Sequence, residues 1–238
     1  MKIFGHRGAS ARKPENTRLA FLQAVADGAD GIELDVMRCK SGEIIVFHDE
    51  TLARLAGRPE SPRDLDWRAL KKIKILDQAP IPLLEDILTE FGPQLEINIE
   101  LKTHASPWRR LLDQSLAEAV AELITRMRLA NRVIVSSFDP LLLWRFSSLS
   151  EHVRTALLLS AESSRPLREG WALPLYPAAG VHPQVSLVTA ARLDRWRRQG
   201  REVRVWTVDH PAELRWLEAH AVDAVITNDP ATARAALR

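Results

Sequence analysis

The sequence predicts a protein of the α/β class, a parallel (β/α)8 TIM barrel with a small insertion after the strand of the second unit. Three observations point there. Short apolar runs alternate with longer amphipathic stretches almost to the end of the chain, at roughly thirty residues per strand–helix unit. No Gly-rich dinucleotide fingerprint follows any run, which removes the main support for a doubly wound open sheet. Ionisable residues also gather where the runs end, as His6-Arg7-Gly8, Pro14-Glu15-Asn16-Thr17, Glu33-Leu34-Asp35 and His48-Asp49.

The expected strands are Lys2–Gly5, Gly31–Met37, Ile44–Phe47, Leu95–Leu101, Arg132–Ser136, Arg154–Leu158, Ala179–His182, Val203–Thr207 and Ala224–Thr227. Between them the apolar spacing predicts helices at Thr17–Ala26, Leu83–Glu90, Trp108–Arg128, Pro140–Ser147, Leu187–Gln199, Pro211–Ala219 and Pro230–Leu237, with a weaker one at Ala161–Glu169. In the first helix Leu19 and Phe21 are assigned to the core. Residues 51 to 80 break the rhythm, because Pro59, Pro62, Pro80 and Pro82 punctuate a stretch with one short helix around Leu65–Ile73. We read this stretch as the insertion, so that residues 1–238 form a single barrel domain. A second proline-rich stretch, Pro166 to Pro183 with Trp171 and Tyr176, predicts irregular loops around the sixth barrel strand. Arg192, Arg195 and Arg198 recur at threes along one helix and read as a solvated outer face.

Bulk composition narrows the function classes. The 238 residues are 46% hydrophobic, enough for one sizeable core. The 33 basic and 31 acidic residues nearly cancel, which gives no global pull toward nucleic acid or an anionic membrane. A lone cysteine, Cys39, has no partner for an internal disulfide. No run is long and apolar enough to span a bilayer, and the first residues do not read as a signal peptide. The expectation is a cytoplasmic protein without stable membrane insertion, acting on a small molecule; oligomeric state is left open.

Side chains alternate along a strand, so Glu33 and Asp35 share one face while Ile32, Leu34 and Val36 share the other. In a barrel the apolar set packs against helices, and the carboxylates point inward. Glu96, Asn98, Glu100 and Lys102 repeat the pattern. Barrel active sites lie at the C-terminal mouth, so Glu33, Asp35, Glu100 and Lys102 should converge there. Crowded carboxylates repel unless something positive sits among them. Lys102 within an internal ion-pair layer is one answer; a hard divalent cation with oxygen ligands, Mg²⁺ or Ca²⁺, is the other. His6 and His48 end strands at the same rim, which suits an acid–base pair. Arg7 offers a fork for phosphate oxygens, and Gly8 permits close backbone approach.

Taken together, His-Arg-Gly, Pro-Glu-Asn-Thr, Gly-Ala-Asp-Gly-Ile-Glu-Leu-Asp-Val, His-Asp-Glu-Thr-Leu, Asn-Ile-Glu-Leu-Lys, Trp-Thr-Val and Ala-Val-Ile-Thr-Asn-Asp-Pro closely resemble the glycerophosphodiester phosphodiesterase family. The resemblance runs from His6 to about Pro230. It implies a (β/α)8 barrel with a small insertion, and metal-dependent hydrolysis of glycerophosphodiesters to sn-glycerol 3-phosphate and an alcohol. Position by position, it makes Glu33, Asp35 and Glu100 the metal ligands and His6 and His48 the general acid–base pair. Arg7 and Lys102 would hold the phosphate, and His182 and Trp206 match substrate-pocket positions. Glu15 and Asn16 match a motif that shapes the loop after the first strand; Asn16 could instead cap the helix beginning at Thr17. The sequence departs from the family at Arg54-Leu55-Ala56-Gly57, which replaces a threonine-rich stretch and bears on the choice of leaving group. Which histidine is acid, and whether water or the neighbouring glycerol hydroxyl attacks to give a cyclic phosphate, stays open. Rival readings are a lysophospholipase D or phospholipase C-like lipid enzyme, with Leu52, Leu55, Trp67, Leu70 and Ile73 cradling an acyl chain, and a non-catalytic phosphodiester-binding barrel.

Overall fold

The computed structural model describes residues 1–104, 114–171, 173 and 178–238. Its strands are β1 (Lys2–His6), β2 (Gly31–Arg38), β3 (Ile44–Val46), β4 (Lys74–Ile75), β5 (Ala79–Pro80), β6 (Glu96–Leu101), β7 (Val133–Ser137), β8 (Arg154–Leu159), β9 (Gly180–Pro183), β10 (Glu202–Val205) and β11 (Ala224–Thr227). Its helices are α1 (Arg18–Ala26), α2 (Ala53–Ala56), α3 (Trp67–Leu70), α4 (Leu84–Phe91), α5 (Gln114–Met127), α6 (Pro140–Leu149), α7 (Arg165–Arg168), α8 (Ala190–Arg198), α9 (Pro211–Ala219) and α10 (Pro230–Ala236). The start of the helix expected from Trp108, and Tyr176, lie outside the described residues.

Among the described residues, parallel strands close a barrel in the order β1, β2, β6, β7, β8, β9, β10, β11 and back to β1. The period of two along each strand separates two environments. Ile32, Leu34, Ile97 and Ile99 face outward into one continuous core with Phe21, Leu88 and Phe91 from the helices. Phe21 meets Phe91 edge-on at 5.9 Å. Leu19, by contrast, is 38% exposed and is not a core residue. Helix starts fall where cap chemistry puts them: Asp139, His210 and Asp229 each accept a backbone N–H, with proline next in the chain. The weak helix expected at Ala161–Glu169 shrinks to α7, and Arg192 and Arg195 dock onto Glu169 instead of standing free in solvent.

The strand expected at Ile44–Phe47 forms, but it runs antiparallel to β2 and stays outside the barrel, with Val46 opposite Val36. The chain between β2 and α4 then makes α2, a 3-10 turn at Pro62–Asp64, α3 and the β4–β5 hairpin. Leu52, Leu55, Leu70 and Ile73 bury there with Met37, Phe47 and Ile81, and Trp67 packs partly against them. These side chains are a small core of their own, and so are not available to cradle an acyl chain. No helix among the described residues is long and apolar enough to cross a membrane.

The bottom of the barrel is closed by charge. Glu96 takes Lys2 at 2.7 Å, Arg154 at 2.5 Å and the fully buried Arg204, which also holds Glu202. The Arg204 guanidinium lies 4.5 Å from the centre of the Phe4 ring. Burial pushes the Glu96 carboxyl up, but Arg204 and the hydrogen bonds from Lys2 and Arg204 win and hold it at about 2. Removing one partner from such a buried network leaves charge uncompensated, so Arg204→Ala should cost about 3–5 kcal/mol. Arg126→Ala, which breaks an exposed pair with Glu85, should leave the denaturation midpoint unchanged. Urea denaturation of both variants checks the contrast.

Candidate active site

Glu33 and Asp35 on β2 and Glu100 on β6 point into the upper barrel, with Asp35 directly opposite Glu100 in the strand register. Each offers an oxygen, and these oxygens lie within 4.8 Å of one another. All three residues are buried. Two cations sit among them. Lys102 Nζ lies 2.6 Å from Glu100 Oε1 and 3.2 Å from Asp35 Oδ1. Arg7 Nε lies 3.1 Å from Asp35 Oδ2, and the Arg7 backbone N–H donates to Glu33 Oε2 at 2.9 Å.

Three carboxylates against two cations leave the negative charge in excess. Burial, then the charge of Asp35, pushes Glu33 up to about 8. Burial also lifts Glu100 to about 7, with Asp35 and Glu33 adding to it against the pull of Lys102. Asp35 goes the other way: burial opposes its ionisation, but Lys102, Arg7 and His48 outweigh it and hold the carboxyl well below the ordinary range. An all-oxygen donor set, buried and short of positive charge, fits a hard divalent cation.

The two histidines flank this cluster. His6 Nδ1 lies 2.7 Å from Asn228 Oδ1. The Asn228 amide nitrogen donates to Asp209 at 2.6 Å, so its oxygen is the acceptor and His6 carries its proton on Nδ1. Burial and the neighbouring Arg7 lower the His6 pKa. His48 Nδ1 lies 2.7 Å from Asp49 Oδ1, which likewise fixes the Nδ1–H form. Although burial pushes the Asp49 carboxyl up, hydrogen bonds from Arg54 and His48 hold it low. Each ring thus keeps Nε2 as its free nitrogen. His48 reaches the rim because β3 runs back along β2, and Phe47 N–H donates to the Asp35 carbonyl at 2.9 Å.

A cavity of about 170 Å³ is lined by His6, Arg7, Glu33, His48, Glu100 and Lys102, together with Phe138, Ser160, Glu162 and Trp206. A wider cleft of about 490 Å³ shares His48, Glu100, Lys102 and Phe138 and continues past Asp49 and Glu50. Trp206 meets Phe138 edge-on at 5.7 Å. Glu15 Oε1 accepts from Arg7 Nη1 at 2.6 Å, and burial of its carboxyl is outweighed by Arg54 and Arg7, which hold it low.

One expectation needs correction. His182 does not line the cavity. Strand pairing continues past it to Gln184, which bridges to Trp206, so His182 stops below the rim, wholly buried and in the interior with Arg204. Burial, then Arg204 and Arg154, depresses its pKa strongly and keeps the ring neutral. Asn16 does not cap α1, whose N-cap is Thr17. Its side chain instead donates to Asp35 Oδ2 at 2.7 Å and accepts from the Asp35 N–H at 3.3 Å. Gly8 serves helix packing: at φ 82°, a Cβ there would meet the Ala20 backbone at 2.6 Å. Sequence reasoning missed Phe138, Asp49 as a histidine partner and Asn228, although Asn228 lies inside a motif it singled out.

A closed parallel barrel with acids, two imidazoles and two cations at one mouth defines a (β/α)8-barrel enzyme. The profile of the glycerophosphoryl diester phosphodiesterase family matches residues 6–232, and the chain belongs to that family. It is 35% identical to the uncharacterised protein YqiK of Bacillus subtilis, over 100% of this chain and 98% of that one. A glycerophosphodiester phosphodiesterase of Bacillus altitudinis is 32% identical over 96% of this chain and 95% of its own. The crystal structure of a glycerophosphodiester phosphodiesterase from Thermotoga maritima superposes with a TM-score of 0.82 at 28% identity, covering 100% of this chain and 98% of that chain.

Because Glu33 and Glu100 hold protons up to about 8 and about 7, a divalent cation that binds them must displace those protons. Calorimetric titration of Mg²⁺ or Ca²⁺ in buffers of different ionisation enthalpy should show proton release at about pH 6 that fades by about pH 9. Affinity should rise with pH across the same window and then level off. Binding without proton release at the lower pH would mean that the acids are already ionised.

Proposed function

We propose that the chain hydrolyses glycerophosphodiesters to sn-glycerol 3-phosphate and an alcohol in a metal-dependent reaction, with His6 and His48 as the acid–base pair. The observation that carries this reading is the paired histidines. Both line one cavity with Nδ1 engaged by a neighbour, and Arg7, Lys102, Glu33 and Glu100 line it too. Glu33, Asp35 and Glu100 would hold a Mg²⁺ or Ca²⁺ ion, and such an ion supplies Lewis-acid polarisation of a phosphoryl oxygen.

The residues divide the remaining work. Arg7 and Lys102 donate to the non-bridging oxygens and stabilise charge that grows in the transition state. Lys102 and Arg7 stay cationic because the carboxylates around them favour the charged form. The backing groups separate the histidine roles. An amide oxygen orients the His6 ring, and burial and Arg7 lower its pKa against that hydrogen bond, which suits a base that takes the proton of the attacking hydroxyl or water. His48, whose ring Asp49 orients through Nδ1, is then the acid that protonates the departing alcohol. Trp206 and Phe138 give the glycerol carbons an apolar wall.

His6→Ala and His48→Ala should each lower kcat about a hundredfold or more on glycerophosphodiesters with alkyl alcohol leaving groups. With p-nitrophenol as the leaving group, which needs no proton, His48→Ala should recover most of its rate and His6→Ala should not. Chelation should abolish release of glycerol 3-phosphate, and added Mg²⁺ or Ca²⁺ should restore it. Equal recovery by both variants would remove the division of roles; undiminished turnover by both would remove the acid–base pair.

A further inference from the structure

We propose that Arg54 is a positioning residue that ties the two sides of the catalytic mouth together, holding Arg7 through Glu15 and His48 through Asp49. The inference rests on the roles given to Arg7 and His48 above and adds a residue that touches neither substrate nor metal ligands. Arg54 is absent from the linings of both cavities.

Its guanidinium grips two carboxylates at once. Nη1 and Nη2 each lie 2.7 Å from a Glu15 oxygen. Nε lies 2.7 Å from Asp49 Oδ2, and Nη2 lies 2.9 Å from Asp49 Oδ1. The oxygens it shares are the functional ones. Glu15 Oε1 also takes Arg7 Nη1 at 2.6 Å, and Asp49 Oδ1 also faces His48 Nδ1 at 2.7 Å. One planar cation therefore links the loop after β1 to the turn after β3. Only a fork can do this: an ammonium is a point donor and cannot satisfy both carboxylates in their planes.

Arg54 is itself placed by the core beneath it. Leu52 and Leu55, on either side in the sequence, are buried in the cluster that contains Phe47, the residue before His48. The side chain is 49% exposed, and an ordinary pair at that exposure contributes little to stability. A cost in stability is therefore not its main effect. Its loss would leave Glu15 and Asp49 as like charges across the gap, each free to rotate about its remaining partner. The Arg7 fork and the His48 ring would then lose their fixed directions, and misplacement of catalytic groups by about 1 Å can cost about a hundredfold.

The test compares Arg54→Ala and Arg54→Lys with the wild-type protein on glycerophosphocholine with saturating Mg²⁺. Arg54→Ala should lower kcat by about tenfold to a hundredfold with little change in thermal midpoint, and Arg54→Lys should recover only a small part of it. In a Glu15→Gln/Asp49→Asn background, adding Arg54→Ala should change kcat no further. Long-range ¹H–¹⁵N spectra of the His48 ring should show one Nδ1–H tautomer in the wild-type protein and a mixture in Arg54→Ala. This second readout is independent of turnover, so it judges the inference even if the wild-type protein releases no glycerol 3-phosphate. A wild-type kcat in Arg54→Ala, an undiminished effect in the double-variant background, or an unchanged tautomer would each overturn it.

Discussion

Negative charge buried without enough positive charge is the constraint around which the upper barrel is built. Glu33, Asp35 and Glu100 come from two neighbouring strands whose register puts them on one face. Nothing in strand geometry lets one of them turn away. Lys102 and Arg7 reduce the excess but do not cancel it, and the carboxyls divide accordingly: Asp35, whose side chain pairs with both cations, stays ionised while Glu33 and Glu100 are pushed toward their acids. A group of this kind is poorly suited to stabilising a fold and well suited to exchanging protons for a dication. The mouth therefore carries more acid than its two cations neutralise.

The same strands give the opposite outcome at the other end of the barrel. Glu96 lies on the same face of β6 as Glu100, two steps further down, yet it meets Lys2, Arg154 and Arg204 and is held at about 2. There the cations outnumber the acid, its charge is satisfied, and no cation-binding capacity remains. Both ends follow from alternation along one strand. What separates structure from chemistry is the local balance of charge, not the residue type.

That distinction explains what could be read from the sequence. Period two along β2 and β6 was enough to put Glu33, Asp35 and Glu100 together, because strand alternation is a short-range rule. The proline after Asp139, His210 and Asp229 fixed helix starts for the same reason. Errors arose where a residue's level along the barrel axis mattered. His182 falls below the rim because pairing continues to Gln184, and only the tilt and stagger of neighbouring strands set that. The β3 segment was legible as a strand but not in its direction, since a short apolar run, Ile44–Phe47, carries no sign. Asn16 fits a cap on sequence grounds, and only the approach of β2 makes it a clamp on Asp35 instead. Asn228 was out of reach for a plainer reason: its partner His6 is 222 residues away.

The two imidazoles are alike in sequence and unlike in their surroundings, and that asymmetry comes from topology. His6 ends a barrel strand beside β11, so its Nδ1 meets Asn228, the first residue past that neighbour, whose neutral amide is already committed to Asp209. His48 ends a strand that returns outside the barrel, so its Nδ1 meets its own neighbour in the chain, a carboxylate shared with a guanidinium. One ring is backed by an amide and has its pKa lowered by burial and Arg7, while the other is backed by a carboxylate. A barrel in which both histidines ended inner strands would lack this difference. The detour of β3 outside the sheet is thus what makes two identical side chains chemically distinct.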